Sequence, residues 1–105
     1  MKIAAIQNEL HWQDPQANFR SFEHELQHLV NDVELVVLPE MFSTGFTMKP
    51  EQLDLNVGSI TLQWMQRMAV NFQITLVGST AYFDGQFWSN YRNFELTEIL
   101  IYYAS

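Results

Sequence analysis

Four consecutive apolar residues, Leu35-Val36-Val37-Leu38, run straight into Pro39 and then Glu40. This junction constrains the fold more than any other stretch of the chain. A continuous apolar run rich in β-branched residues suits a strand covered on both faces, as in a parallel sheet. Pro39 has no N–H to give to a sheet ladder, so the strand must end there. Glu40 is thereby held at the C-terminal edge of a buried sheet, the edge at which open α/β sheets bind ligands. A carboxylate in that place is either an ordinary solvated loop acid or a general base tuned by partial burial. The residues that follow, Met41-Phe42-Ser43-Thr44-Gly45-Phe46-Thr47-Met48, form an apolar loop with one flexible glycine. Leaving Met, Phe, Phe and Met in water is costly. Such a loop should fold over something, and a small-molecule pocket is one candidate.

The flanking sequence supplies the rest of a parallel unit. Residues 2–8 read as a strand, with Ile3, Ala4, Ala5 and Ile6 nearly continuous. Asp14 is a good helix N-cap and Pro15 a good first helical residue. Phe19, Phe22, Leu26 and Leu29 then recur at steps of three, four and three, which marks one helical face running to about Val30. Residues 33–38 follow as the second strand, so the order is strand, helix, strand. That order predicts a right-handed βαβ crossover and an α/β fold. Beyond the 39–50 loop, residues 51–58 read as irregular and acidic. Ser59 or Thr61 would cap a second helix ending near Asn71, with Ile60, Trp64, Met68 and Phe72 on its buried face. Residues 74–79 read as a third strand, Asp84-Gly85 as a hairpin turn between 81–83 and 86–88, and 99–103 as a last β-prone run.

His24-Glu25-Leu26-Gln27-His28 matches the H-E-x-x-H pattern of zinc hydrolases. Histidines at i and i+4 share a helix face and can hold one zinc, with the Glu as base for its water. Here the helix is amphipathic through Phe22, Leu26 and Leu29, and His24 and His28 lie off that stripe. No third ligand follows at the usual spacing. The pattern reads as a solvated helix face, and no metal or cofactor is expected.

Charge narrows the partners. The chain of 105 residues carries 12 Asp and Glu against 5 Lys and Arg, a formal net charge of -7. That disfavours nucleic acid and anionic membranes as partners. There is no cysteine, and no run long enough for a secretory or membrane-spanning segment. A cytoplasmic location is expected.

Taken together, several segments carry a resemblance. Leu38-Pro39-Glu40-Met41-Phe42, then Thr44-Gly45-Phe46 and Met48, resembles the first catalytic segment of the nitrilase superfamily, the carbon–nitrogen hydrolases, and within it the omega-amidase-like branch. Lys2-Ile3-Ala4-Ala5-Ile6-Gln7, the helix start at Asp14-Pro15 with Asn18, and Leu76-Val77-Gly78-Ser79 are similar to the same family, over about the first 90 residues. The resemblance implies a four-layer α-β-β-α sandwich and catalysis by a Glu, a Lys and a Cys. It puts Glu40 in the general-base role. Phe42, Thr44 and Phe46 would then stand in the wall of a substrate pocket. Substrates in this branch are typically short ω-amides of dicarboxylic 2-oxo acids, cleaved to the acid and ammonia.

The pattern departs from the family downstream. Asn90-Tyr91-Arg92 separates an Asn-Arg pair that the family usually keeps adjacent. Glu98-Ile99-Leu100-Ile101-Tyr102-Tyr103 resembles the strand before the family's lysine, but the Asp-Lys is absent, and Lys2 and Lys49 match no family position. Residues 1–105 are accordingly expected to form a single, incomplete carbon–nitrogen hydrolase domain, truncated before the catalytic Lys and Cys segments and inactive alone. With helices on one sheet face and no partner sheet on the other, self-association or a homodimer is expected. The alternative from a different class is a small non-catalytic α/β interaction module. A zinc hydrolase on the His24–His28 segment ranks behind both.

Overall fold

The computed structural model describes residues 2–12, 14–29, 32–45, 56–83 and 96–103. Four strands form one sheet in the order β1 (Lys2–Ala5), β2 (Val33–Val37), β3 (Thr75–Phe83), β4 (Leu96–Tyr103). Helix α1 (Pro15–Gln27) joins β1 to β2, and helix α2 (Val57–Phe72) precedes β3. The first three strands are parallel, with Ala4 opposite Val36 and Val36 opposite Leu76. The fourth runs antiparallel to β3 from Leu76↔Tyr103 to Phe83↔Leu96. The α/β reading of the sequence therefore holds, with β2 inside the sheet.

The strand ends follow the available donors. Ile6 N–H reaches Val37 O at 3.0 Å, and Leu38 N–H reaches Val77 O at 2.8 Å, each just past its own strand. The next residue is Pro39, which has no N–H, and the ladder stops. β1 is shorter than residues 2–8. β3 is longer than 74–79, because 81–83 continues the same strand and pairs with β4. The proposed Asp84-Gly85 turn and its return strand 86–88 lie outside the described residues.

α1 begins as its sequence dictates. The Asp14 carboxylate accepts the Ala17 N–H at 3.1 Å, and Pro15 sits where a missing N–H costs nothing. The helix closes at Gln27, three residues before the expected Val30. There His28 N–H turns to Glu25 O and Leu29 N–H to Leu26 O, tightening the last turn.

α2 departs further from expectation. It starts at Val57, with Asn56 rather than Ser59 or Thr61 at the cap position. Thr61 lies inside the helix, where its hydroxyl donates back to Val57 O at 2.7 Å. The buried face is Val57, Thr61, Trp64, Met65, Met68 and Ala69, while Ile60 and Phe72 are only half-buried. The reason is geometric. Uniform steps of four drift about 40° per step around a 3.6-residue helix, whereas alternating steps of four and three keep to one stripe. Gln73 ends the helix in the left-handed region (φ 53°), and Ile74 N–H reaches back to Ala69 O at 3.1 Å.

Both helices contribute to one core with the inward side chains Val36 and Leu76 of the sheet and with Leu38 just past β2. Phe19 of α1 stacks on Trp64 of α2, with centroids 5.0 Å apart and planes 13° from parallel. The pleat sends alternate residues the other way. Ile3 is 61% and Val37 37% exposed, so the far side of the sheet presents apolar side chains without a covering layer among the described residues. One buried polar atom, Trp64 Nε1, lacks a hydrogen-bond partner among those residues.

Candidate active site

Glu40 stands one residue past Pro39, at the C-terminal end of β2. Its side chain is exposed rather than partly buried. No described residue hydrogen-bonds the carboxylate. The backbone beneath it is anything but loose. Met41 takes a positive φ of 52°, a conformation costing a side-chain-bearing residue roughly 1–2 kcal/mol. Thr44 N–H and Gly45 N–H both return to Met41 O, at 3.3 and 2.8 Å, closing one helix-like turn.

Three elements hold that turn. From β3, the Ser79 hydroxyl accepts the Met41 N–H at 2.9 Å. Thr80 Oγ1 lies 3.4 Å from Ser43 Oγ. From α1, the wholly buried Asn18 side chain donates to Ser43 O at 2.7 Å and to His11 O at 2.8 Å, while its carbonyl accepts the His11 N–H at 2.7 Å. One amide thus ties the segment after β1 to the segment after β2. Strained backbone persists only where surrounding contacts over-determine it, and these bonds supply that determination.

The described apolar residues of the loop, Met41 and Phe42, are buried. Phe42 is wholly buried, edge-to-face with Phe22 (5.6 Å, 87°) and close to Trp64 (5.5 Å). Gly78 of β3 makes room for it, since a methyl there would sit 2.9 Å from Phe42 Cε1. At the far end Gly45 has φ 75°, and Trp12 packs against the space where a side chain would go. Thr44 is also wholly buried, its hydroxyl donating to Gly45 O at 2.9 Å. What this loop folds over, on the side of Phe42, is the helix pair. Phe46 lies outside the described residues.

Sequence reasoning passed over the job of Asn18. The signal was present: Asn18 precedes Phe22 and Leu26 at steps of four, so an amide sits on the apolar stripe and must find partners there. Ser79 and Thr80 carried no such signal, since polar residues late in a strand are common.

His24 and His28 are exposed, and their rings lie 4.4 Å apart. His28 Nδ1 is 2.7 Å from His24 O, a backbone contact at the helix end. Among the described residues, no three His, Cys, Asp or Glu side chains gather to hold a metal ion. Among those residues, too, no helix is long and apolar enough to cross a membrane.

Comparison with known proteins places these features. The model of the carbon–nitrogen hydrolase family matches residues 2–101. The omega-amidase YafV of Escherichia coli is 33% identical over 81 residues, covering 77% of this chain and 31% of that protein, and YafV of Yersinia enterocolitica matches equally. The chain therefore spans about a third of the length of these relatives. Two crystal structures share the fold at 23% identity. A CN-hydrolase superfamily protein of Xanthomonas campestris, with an arsenic adduct in its active site, aligns over 97% of this chain and 39% of its own (TM-score 0.67). An amidase from Nesterenkonia sp. aligns over 75% and 31% (TM-score 0.64).

Proposed function

We infer function from one premise: this chain belongs to the carbon–nitrogen hydrolase family. We propose that it supplies the glutamate-bearing part of an omega-amidase-type site, acting on short ω-amides of dicarboxylic 2-oxo acids. The observation that carries this reading is the braced turn that holds Glu40, exposed and bonded to no described residue, at the end of a parallel strand.

Glu40 would take the proton of an attacking thiol. The thiolate adds to the amide carbon, and a lysine ammonium stabilises the oxyanion that forms. The proton passes to the leaving nitrogen, ammonia departs, and water cleaves the thioester to the free acid. The chain has no cysteine. In this reading the thiol and the lysine come from outside these 105 residues, and the chain by itself releases no ammonia. Glu40 alone cannot rescue turnover, because members of one catalytic unit fail together. A reducing cytoplasm suits such a thiol. Pairing of chains through the uncovered sheet face belongs to the same proposal.

The test is a graft. Residues 2–83 replace the matching part of an omega-amidase relative, and ammonia release from an ω-amide is measured. Turnover by the graft, lost on Glu40→Gln substitution, is the expected result. A graft that folds and turns over equally well after that substitution sinks the general-base assignment. The non-catalytic interaction module is favoured by the same exposed Ile3 and Val37. It requires that the chain bind a full-length relative with unchanged affinity when Glu40 is replaced.

A further inference from the structure

Ser79 holds the backbone donor that directly follows Glu40. Its hydroxyl accepts the Met41 N–H at 2.9 Å, and both Ser79 and Met41 are buried. The sheet register explains why this side chain is there. Leu35 lies opposite Thr75 and Val37 opposite Val77, so two residues further on Ser79 stands opposite Pro39. β2 has stopped at that level, but β3 runs on to Phe83, and Ser79 pairs with Leu100 of β4. The hydroxyl is thus carried by a regular strand, a firmer support than a loop. On the other side of the bond, Met41 holds a φ of 52°. A residue with a side chain keeps that conformation only where its surroundings impose it, and such positions cluster at functional sites.

We propose that Ser79 is a positioning residue for Glu40, a role that rests on the general-base reading of that glutamate. The Glu40 side chain leaves its Cα between two peptide groups. Pro39, with its ring-fixed φ, stands just before it. The bond from Met41 N–H to Ser79 fixes the peptide group just after it. The exposed carboxylate therefore takes its direction from the buried backbone that follows it. Asn18 acts further along, on Ser43 O, and does not touch this peptide group. Without the Ser79 hydroxyl, the Met41 N–H loses its acceptor in a buried place, and the turn must shift to find another. A misplacement of about 1 Å at a reacting group costs about 100-fold in rate.

The experiment has two arms. In the ¹⁵N-labelled chain, a positive φ gives Met41 a strong intraresidue cross-peak between its amide and α protons. Ser79→Ala should weaken that cross-peak to the level of its neighbours, with the signals of α1 and α2 unchanged. Ser79→Thr, which keeps the hydroxyl, should preserve it. In the graft of residues 2–83, Ser79→Ala should lower kcat and kcat/KM together by at least about tenfold, with KM within about twofold of the parent, and Ser79→Thr should restore most of the loss. A Met41 cross-peak that survives Ser79→Ala overturns the proposal. So does unfolding of the Ser79→Ala chain as a whole, because the bond would then hold the fold and not the turn. A graft that loses turnover on Glu40→Gln but keeps it on Ser79→Ala, or loses it through KM alone, overturns the positioning role and leaves the general-base reading standing. Turnover indifferent to Glu40→Gln removes that reading and the positioning role with it.

Discussion

Asn18 shows how much one side chain can decide. Its three hydrogen bonds, to His11 N–H, His11 O and Ser43 O, are made in a wholly buried place. Asn18→Ala strands those groups and should cost roughly 3 kcal/mol, at about 1 kcal/mol for each lost bond. Urea denaturation checks this, and a loss below about 0.5 kcal/mol would mean that the clamp does not hold in solution. Glu40 is the opposite kind of residue. It is exposed and bonds no described group, so Glu40→Gln should leave the urea midpoint unchanged. The pair separates two reasons for a polar residue at this site: Asn18 builds the turn and Glu40 is carried by it.

At the level of elements, α2 reports which periodicity was in force. Its buried stripe runs through Trp64, Met65 and Met68, and Val70 on the other side is 62% exposed. Met65→Ala should therefore cost about 2–5 kcal/mol. Val70→Ala should change stability by no more than about 0.5 kcal/mol. Equal losses on thermal or urea unfolding would mean that the helix sits in another rotation. The β2–Glu40 junction is the element whose structure was most legible beforehand. A parallel-type apolar strand, a proline stop and an acid at the edge could all be named from residues 35–40, and each is where it was expected. The braces of the following turn were not legible, because Asn18, Ser79 and Thr80 come from segments 22 to 40 positions away from Glu40.

For the molecule as a whole, the question is what covers the sheet. Both helices pack on one side, and Ile3 and Val37 look outward from the other. Contiguous exposed apolar surface on a sheet drives association. The chain should sediment as a dimer or larger species, and Ile3→Lys with Val37→Lys should shift it toward monomer without loss of the melting transition. A monomeric parent chain in sedimentation velocity would contradict this. The exposed Lys2–Asp32 ion pair (2.8 Å), linking the start of β1 to the turn before β2, adds little to either state.

The sequence by itself determined the local grammar: where β2 stops, where α1 starts, which face of α1 is buried, and that Glu40 stands at a strand end. These depend on neighbours in the chain, on proline's missing N–H, on the Asp14 cap and on spacing along one helix. Only the tertiary structure decided the rotation of α2, the merging of residues 81–83 into β3, and the use of Phe42 as the hub between two helices. Those outcomes depend on which distant surface each side chain meets. Gly78 had to be opposite Phe42, and Asn18 opposite Ser43, before the turn bearing Glu40 could have one shape.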